Sequence, residues 1–157
     1  MLMPRVGLGF DIHPFTDDPS RRLVLGGVVL EGPGLDGHSD ADVVAHAVAD
    51  ALLGAAGLGD LGTMFPADDP TLAGADSLVL LARVVAAVTT DHEIGNVDAS
   101  VILEVPRLAP HRREIETRLT AVVGAPVSVK PKRAEALGAL GRREGVACLA
   151  VAVVGPR

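Results

Sequence analysis

The chain has 157 residues, 48% of them hydrophobic, and a formal net charge of −6. That length suits a single domain over residues 1–157 with a core of its own, and the acidic balance argues against sequence-independent nucleic-acid binding, which rests on clustered cations. A lone cysteine, Cys148, excludes a disulfide framework and a cysteine metal site.

No apolar run approaches the ~18 residues that cross a bilayer. The Met1-Leu2-Met3-Pro4 start lacks the basic and apolar regions of a signal peptide, so a cytoplasmic location without membrane contact is expected. The apolar residues are mostly Ala, Val and Leu, with no Trp or Tyr and three Phe. A mean hydropathy of +0.38 is high for so short a chain and points to surface buried against copies of itself, a homo-oligomer.

Residues 5–10 read as a first strand, with Gly9-Phe10-Asp11-Ile12-His13 at its end. Strand side chains alternate, so Asp11 and His13 share a face and Ile12 takes the other. The pair has two readings: a hydrogen bond closing a strand, or half of a divalent-metal site. Residues 23–25 and 28–30, split by Gly26-Gly27, read as a strand pair with a bulge or tight turn.

Gly37-His38-Ser39-Asp40-Ala41-Asp42 opens a helix expected to run to about residue 56, stopped by Gly57-Leu58-Gly59. Ser39 is read as its N-cap, with Asp42 closing a capping-box-like pair. Asp42, His46 and Asp50 lie four apart on one stripe, so the two carboxylates are candidate partners for the imidazole, or simply solvated. Asp11, His13 and His46 together make a three-ligand set with an open position, as in catalytic zinc sites, although the same set describes non-haem iron.

Gly59-Asp60-Leu61-Gly62 and residues 65–70 read as acidic loops. A second helix starts at Gly74-Ala75-Asp76-Ser77, with Leu78, Leu81, Val85 and Val88 at helical spacing and Asp91, Gly95 and Asn96 marking its end. Residues 97–105 alternate as a strand, and 107–111 lead into a third helix with Ile115, Leu119, Val122 and Val123 on one face. A short strand at 127–130 carries a basic cluster, Lys130, Lys132 and Arg133. The β-branched run 146–154 reads as a strand buried on both faces. This order predicts an α+β two-layer sandwich, a mixed sheet with its helices on one face.

The ordered motifs resemble one family. They are Gly-Phe-Asp-Ile-His at 9–13, Gly-His-Ser-Asp-Ala-Asp-Val at 37–43, His46 with Asp-Ala-Leu-Leu-Gly-Ala at 50–55, and Leu-Gly-Asp-Leu-Gly at 58–62. Phe65-Pro66, Asp69-Pro70, Gly74-Ala75-Asp76-Ser77, Gly95-Asn96-Val97-Asp98, Gly141-Arg142 and Glu144-Gly145 continue the match. The chain resembles the 2-C-methyl-D-erythritol 2,4-cyclodiphosphate synthase family of non-mevalonate isoprenoid biosynthesis.

The resemblance implies a homotrimer with active sites between subunits. Its substrate would be 4-diphosphocytidyl-2-C-methyl-D-erythritol 2-phosphate, whose 2-phosphate attacks the β-phosphorus and releases CMP. Asp11, His13 and His46 would hold Zn2+, and Glu135 a second metal, Mg2+ or Mn2+. His38 and Ser39 would contact the erythritol phosphate; Asp60, Leu61, Gly62, Phe65 and Asp69 would line its pocket. Glu104, Pro106, Arg107, Leu108, Ala109 and Pro110, with Pro131, Lys132, Arg133 and Ala134, would take the cytidine diphosphate. Ala139 and Arg142 complete the implied contacts. The family also has Arg142 and Glu144 near the three-fold axis, where an isoprenoid diphosphate can enter a central cavity; the simpler reading of the pair is an inter-subunit ion pair.

One departure stands out. The family's Ala-Thr-Thr-Thr-Glu is Pro131-Lys132-Arg133-Ala134-Glu135 here, and its Gln-x-Pro-Lys is Glu104-Val105-Pro106-Arg107. Arg133 replaces the threonine associated with the phosphates, so Lys132 and Arg133, with His38, are the candidate catalytic side chains. The alternative is that both cations point to solvent. Two other functions stay open on the same residues: a metal- and nucleotide-binding homologue without turnover, and a metal-dependent phosphodiesterase.

Overall fold

In a computed structural model of the chain, residues 3–157 are described; Met1 and Leu2, part of the start read above for a signal peptide, lie outside the described residues. In order the elements are β1 (Arg5–Pro14), β2 (Leu23–Leu25), β3 (Val28–Leu30), α1 (Val43–Ala56), α2 (Leu61–Met64), α3 (Ser77–Val88), β4 (His92–Ile102), α4 (Arg112–Val123), β5 (Val127–Lys132), α5 (Gly138–Gly141) and β6 (Gly145–Pro156). β2 and β3 form a separate antiparallel hairpin through Gly26-Gly27, both at positive φ. The main sheet has the order β1-β6-β4-β5. β6 is antiparallel to both neighbours, while β4 and β5 are parallel, joined by the α4 crossover. The expected α+β class with a mixed sheet holds.

Alternation decides which face meets the helices. Val97, Ala99, Val101, Val127, Val129, Cys148, Ala150, Ala152 and Val154 are buried toward α1, α3 and α4. Val6, Leu8, Phe10 and Ile12 on β1 and Leu149 and Val151 on β6 point the other way and are 39–66% exposed. The expectation of a last strand buried on both faces is corrected in part: β6 is central in the sheet and buried on both faces from Gly145 to Cys148, but Leu149 and Val151 on its second face are exposed.

The contact that positions the site is β1 against α1. A Cβ on Gly7 would overlap the carbonyl oxygen of Ala51, and one on Gly9 that of Ala47. The glycines thus let strand and helix backbones approach with only alanines between them. α1 is buried nearly all round, with Val44, Val48, Leu52 and Leu53 at 1% exposure or less. Each such side chain contributes roughly 1.5–3 kcal/mol of transfer free energy.

Several boundaries differ from the sequence reading. Asp42, not Ser39, caps α1: its side chain accepts from the N–H groups of Val44 and Ala45, and from those of Gly26 and Gly27. One carboxylate thereby ties the helix start to the β2–β3 turn. Gly57 ends α1 at φ 74, as expected of a left-handed glycine stop. Asp60 caps the short α2 where a loop was expected. β4 begins at His92, so Gly95 and Asn96 lie in the strand, at a bulge, rather than at the end of a helix.

Candidate functional site

Asp11 and His13 project from β1 toward α1, and His46 comes from the first turns of α1 to meet them. Asp11 Oδ2 lies 3.0 Å from His13 Nε2 and 3.0 Å from His46 Nδ1. One ligand atom from each of the three residues falls within 4.8 Å of the others. Their side chains are 24%, 19% and 11% exposed, so the cluster is shielded but reachable. The two rings sit 5.6 Å apart, tilted by 60°.

The surroundings decide how the donors are presented. His13 Nδ1 is 2.6 Å from the carbonyl oxygen of Asp36. A carbonyl only accepts, so Nδ1 carries a proton, and the neutral ring has its lone pair at Nε2, on the Asp11 side. The Asp36 segment is held there by its own N–H donating to Pro14 O and by the bridge from Phe15 to Leu35. A Cβ on Gly37 would come within 2.9 Å of the His13 ring, so the loop backbone lies close against the imidazole. Partial burial alone would raise the Asp11 pKa, but hydrogen bonds from His13 and His46 pull it down to about 2. His13 is raised in turn, chiefly by its hydrogen bond to Asp11. An ionised oxygen facing two imidazole nitrogens is the donor set of a divalent cation, and these residues fit one.

The stripe Asp42, His46, Asp50 does not act as expected. Asp42 is spent on backbone N–H groups, and Asp50 accepts from Leu61 N at 2.8 Å. Neither carboxylate hydrogen-bonds the His46 ring, because each reaches open backbone donors first. Asp50 instead seats α2 beside the cluster. The partners of His46 Nε2 are Ser77 Oγ at 2.8 Å and Ser39 Oγ at 3.1 Å. Ser77 was missed as a site residue; its place at the start of α3, in the Gly74-Ala75-Asp76-Ser77 motif, was the available signal.

Two hollows flank the cluster. One, about 210 Å³, is lined by His13, His38, Ser39 and His46 with Leu61, Gly62, Phe65, Ala67, Leu72 and Leu80. The other, about 290 Å³, takes in Asp11, His46, Asp50, Asp60, Leu61 and Gly62. His38 Nε2 donates to the carbonyl oxygen of Asp69 at 2.8 Å, while the Asp69 side chain caps the turn at Thr71. The guanidinium of Arg83 lies 4.7 Å over the Phe65 ring, holding it against α3.

A separate cleft of about 250 Å³ lies at the ends of β4 and β5, lined by Leu103, Glu104, Pro106, Arg107, Leu108, Ala109, Pro131, Lys132 and Arg133. Pro110, Ala134, Glu135, Ala139 and Arg142 line neither this cleft nor the hollows at the cluster. The basic cluster is divided: Lys130 pairs with Asp98 on the open sheet face, and Arg133 pairs with Glu104. Arg142 and Glu144 pair within the chain at 2.6 Å, beside α5.

The YgbB family model matches residues 4–155. The chain belongs to the YgbB family. This YgbB-family chain is 48% identical to 2-C-methyl-D-erythritol 2,4-cyclodiphosphate synthase of Thermosynechococcus vestitus, over 98% of each chain. It is 49% identical to the bifunctional enzyme IspD/IspF of Anaeromyxobacter dehalogenans over 94% of its own length, spanning 39% of that larger protein. The solved IspF of Plasmodium falciparum in complex with CDP superposes with a TM-score of 0.86 at 32% identity, covering 100% of this chain and 99% of that one.

Proposed function

We propose that this YgbB-family chain is the cyclising lyase of non-mevalonate isoprenoid biosynthesis, converting 4-diphosphocytidyl-2-C-methyl-D-erythritol 2-phosphate to 2-C-methyl-D-erythritol 2,4-cyclodiphosphate and CMP. The observation that carries the reading is the Asp11–His13–His46 cluster at the wall of a hollow edged by His38, Ser39 and Phe65. A 2-phosphate oxygen forms the new bond to the β-phosphorus, and the bond from that phosphorus to the α-phosphate oxygen breaks, CMP leaving with the electron pair. The nucleophile is already anionic, so no general base is required.

The burden on the protein is to hold anionic groups in line and to offset their charge. Zinc at Asp11, His13 and His46, with magnesium or manganese at Glu135, would supply charge neutralisation at the phosphate oxygens. His38 and Ser39 are placed to orient the erythritol phosphate. Asp60, Leu61 and Gly62 form the wall that Asp50 seats. The apolar and backbone surface from Leu103 to Ala109 takes the nucleoside; a relative of this chain was solved with CDP. Lys132 and Arg133 at its rim take the diphosphate. Turnover of Lys132→Ala and Arg133→Ala tests that role, and near wild-type rates for both would remove it.

The metal cluster and the nucleotide cleft lie on opposite edges of one sheet. Register places Ile12, Ala147, Ile102 and Lys132 side by side across it. Three inter-strand steps separate β1 from β5, about 14 Å. Head-to-tail association of identical chains brings one chain's β5 edge to the next chain's β1 edge and closes a ring. The apolar open face of β1 and β6 supports that association, a homotrimer with sites between subunits.

Incubation of the purified protein with the cytidine diphospho substrate, zinc and magnesium, followed by phosphorus NMR, tests the reading. CMP with cyclic diphosphate is expected. CMP with a linear product indicates the phosphodiesterase, and binding without CMP indicates a non-catalytic homologue.

A further inference from the structure

Behind His46 lies a pair of polar groups, Ser77 and Asp40, that the proposed reaction does not use; Ser39 borders them. Ser77 is 1% exposed and Ser39 7%. Asp40 accepts the Ser77 backbone N–H through Oδ2 at 3.0 Å, and its Oδ1 takes the Ser77 hydroxyl in a short hydrogen bond. The same Oδ1 accepts from Asp42 N at 3.1 Å, and Asp40 N donates to the carbonyl oxygen of Ala75. The carboxylate is thus fixed between the helix entry and the start of α3.

Asp40 sets the direction of the hydrogen bonds on the Nε2 side of His46, while Asp11, itself an acceptor, competes for the ring proton on the Nδ1 side. An ionised carboxylate cannot donate, so the Ser77 hydroxyl proton must point to it. Ser77 Oγ then has only lone pairs to offer His46, 2.8 Å away, and so draws the ring proton to Nε2. In a neutral imidazole that leaves Nδ1 unprotonated, and Nδ1 is the nitrogen 3.0 Å from Asp11 Oδ2. His13 reaches the same condition by a different route, through the Asp36 carbonyl. Ser39 Oγ, 3.1 Å from Nε2 and already accepting from Ala41 N, adds a second acceptor but has no carboxylate behind it to set its polarity.

We propose that Asp40, acting through the Ser77 hydroxyl, is a positioning residue that sets the tautomer of His46 and thereby the divalent-cation affinity of the Asp11–His13–His46 cluster. The inference rests on that cluster being a cation site, and adds that its affinity is set from Asp40, on the far side of the ring. Without the relay, His46 is free to take the Nδ1–H tautomer, which places a proton where the cation's lone pair should be. Partners of this kind behind a metal ligand are worth about 10- to 100-fold in affinity.

The test uses the full chain, with Ser77→Ala as the main variant. Removing the hydroxyl keeps Asp40 on the Ser77 backbone N–H and on Asp42 N, so both anchors of the segment survive. Asp40→Asn is the second variant: both oxygens accept a backbone N–H, so an amide nitrogen opposes a donor at either position, and at Oδ1 it also donates to Ser77 and turns its hydroxyl toward Nε2. Long-range nitrogen–proton NMR of the metal-free proteins, at mildly alkaline pH, reads the His46 tautomer directly. Zinc affinity is read by competition with a chromophoric chelator, and thermal melting verifies folding.

Wild type is expected to show a protonated Nε2 and a bare Nδ1. Ser77→Ala is expected to show a mixture and zinc affinity lower by about 10- to 100-fold, and Asp40→Asn a shift toward Nδ1–H with at least as large a loss. Folded variants that keep the wild-type tautomer and affinity overturn the proposal. Loss in Ser77→Ala but not in Asp40→Asn removes Asp40 from it. Failure of wild type itself to bind zinc strikes the cluster's reading as a metal site, and the tautomer measurement still decides whether Asp40 sets the ring.

Discussion

Glu104 and Arg133 join the end of β4 to the segment that follows β5: Glu104 Oε2 lies 2.7 Å from Nη2 and 3.2 Å from Nε of Arg133. The glutamate side chain is 4% exposed and the arginine side chain 60%, so the buried member is the anion. Ala136 N also donates to Glu104, at 3.4 Å. Both positions lie in the motifs where the chain departs from the family it resembles, Glu104 standing for a Gln and Arg133 for the second of three Thr. The departures are partners: a glutamate buried at the cleft requires a cation, and an arginine in place of threonine supplies it.

Coupling between the two is therefore expected. Arg133→Thr alone leaves a buried carboxylate without its counter-ion and should cost more stability and turnover than the double variant Glu104→Gln/Arg133→Thr. A double-mutant cycle in melting temperature and kcat measures it. Simple additivity of the two single effects would count against the pairing.

The same pair predicts an acid dependence. The hydrogen bond from Arg133 holds the Glu104 carboxyl below its ordinary value of 4.5. A lowered folded-state pKa contributes stability that is complete above 4.5 and is lost as pH falls below it, through the folded value. Glu104→Gln should remove that part of the acid-side loss, leaving a flatter stability profile below the glutamate range in urea unfolding. An unchanged acid slope would show that Glu104 does not carry it.

Asp42 binds four backbone N–H groups, two at the head of α1 and two in the β2–β3 turn. Asp42→Ala should cost about 3 kcal/mol or more, combining a lost cap with buried donors left unpaired. Asp42→Asn should recover part of that loss. Chemical denaturation checks both, and a loss below about 1 kcal/mol, no more than an ordinary helix cap, would contradict the account.

The open sheet face predicts association. Phe10→Glu places a charge among Val6, Leu8, Ile12, Leu149 and Val151, all exposed in the single chain. Light scattering should show wild type as a trimer and the variant as smaller species with little turnover, because the cluster and the nucleotide cleft then stay on separate edges. A trimeric variant would mean that this face is not the contact.

Among the described residues, no helix is long and apolar enough to cross a membrane. The local part of the design was legible in the sequence because it repeats with the backbone's own periods. Alternation put Asp11 and His13 on one face, turn glycines bounded α1 at Gly57, and the motif order indicated the family. The partners of each functional group were not legible, because they come from far along the chain. Asp42 was visible as a carboxylate near a helix start, yet only the folded β2–β3 turn drew it away from His46. Ser77 reaches His46 across 31 positions, and Glu104 reaches Arg133 across 29. A hydrogen bond has no sequence period; its partner is whichever donor or acceptor the packed backbone brings within 3 Å. The sequence by itself therefore determined which residues could bind a cation, and the tertiary structure decided which protons they carry when it arrives.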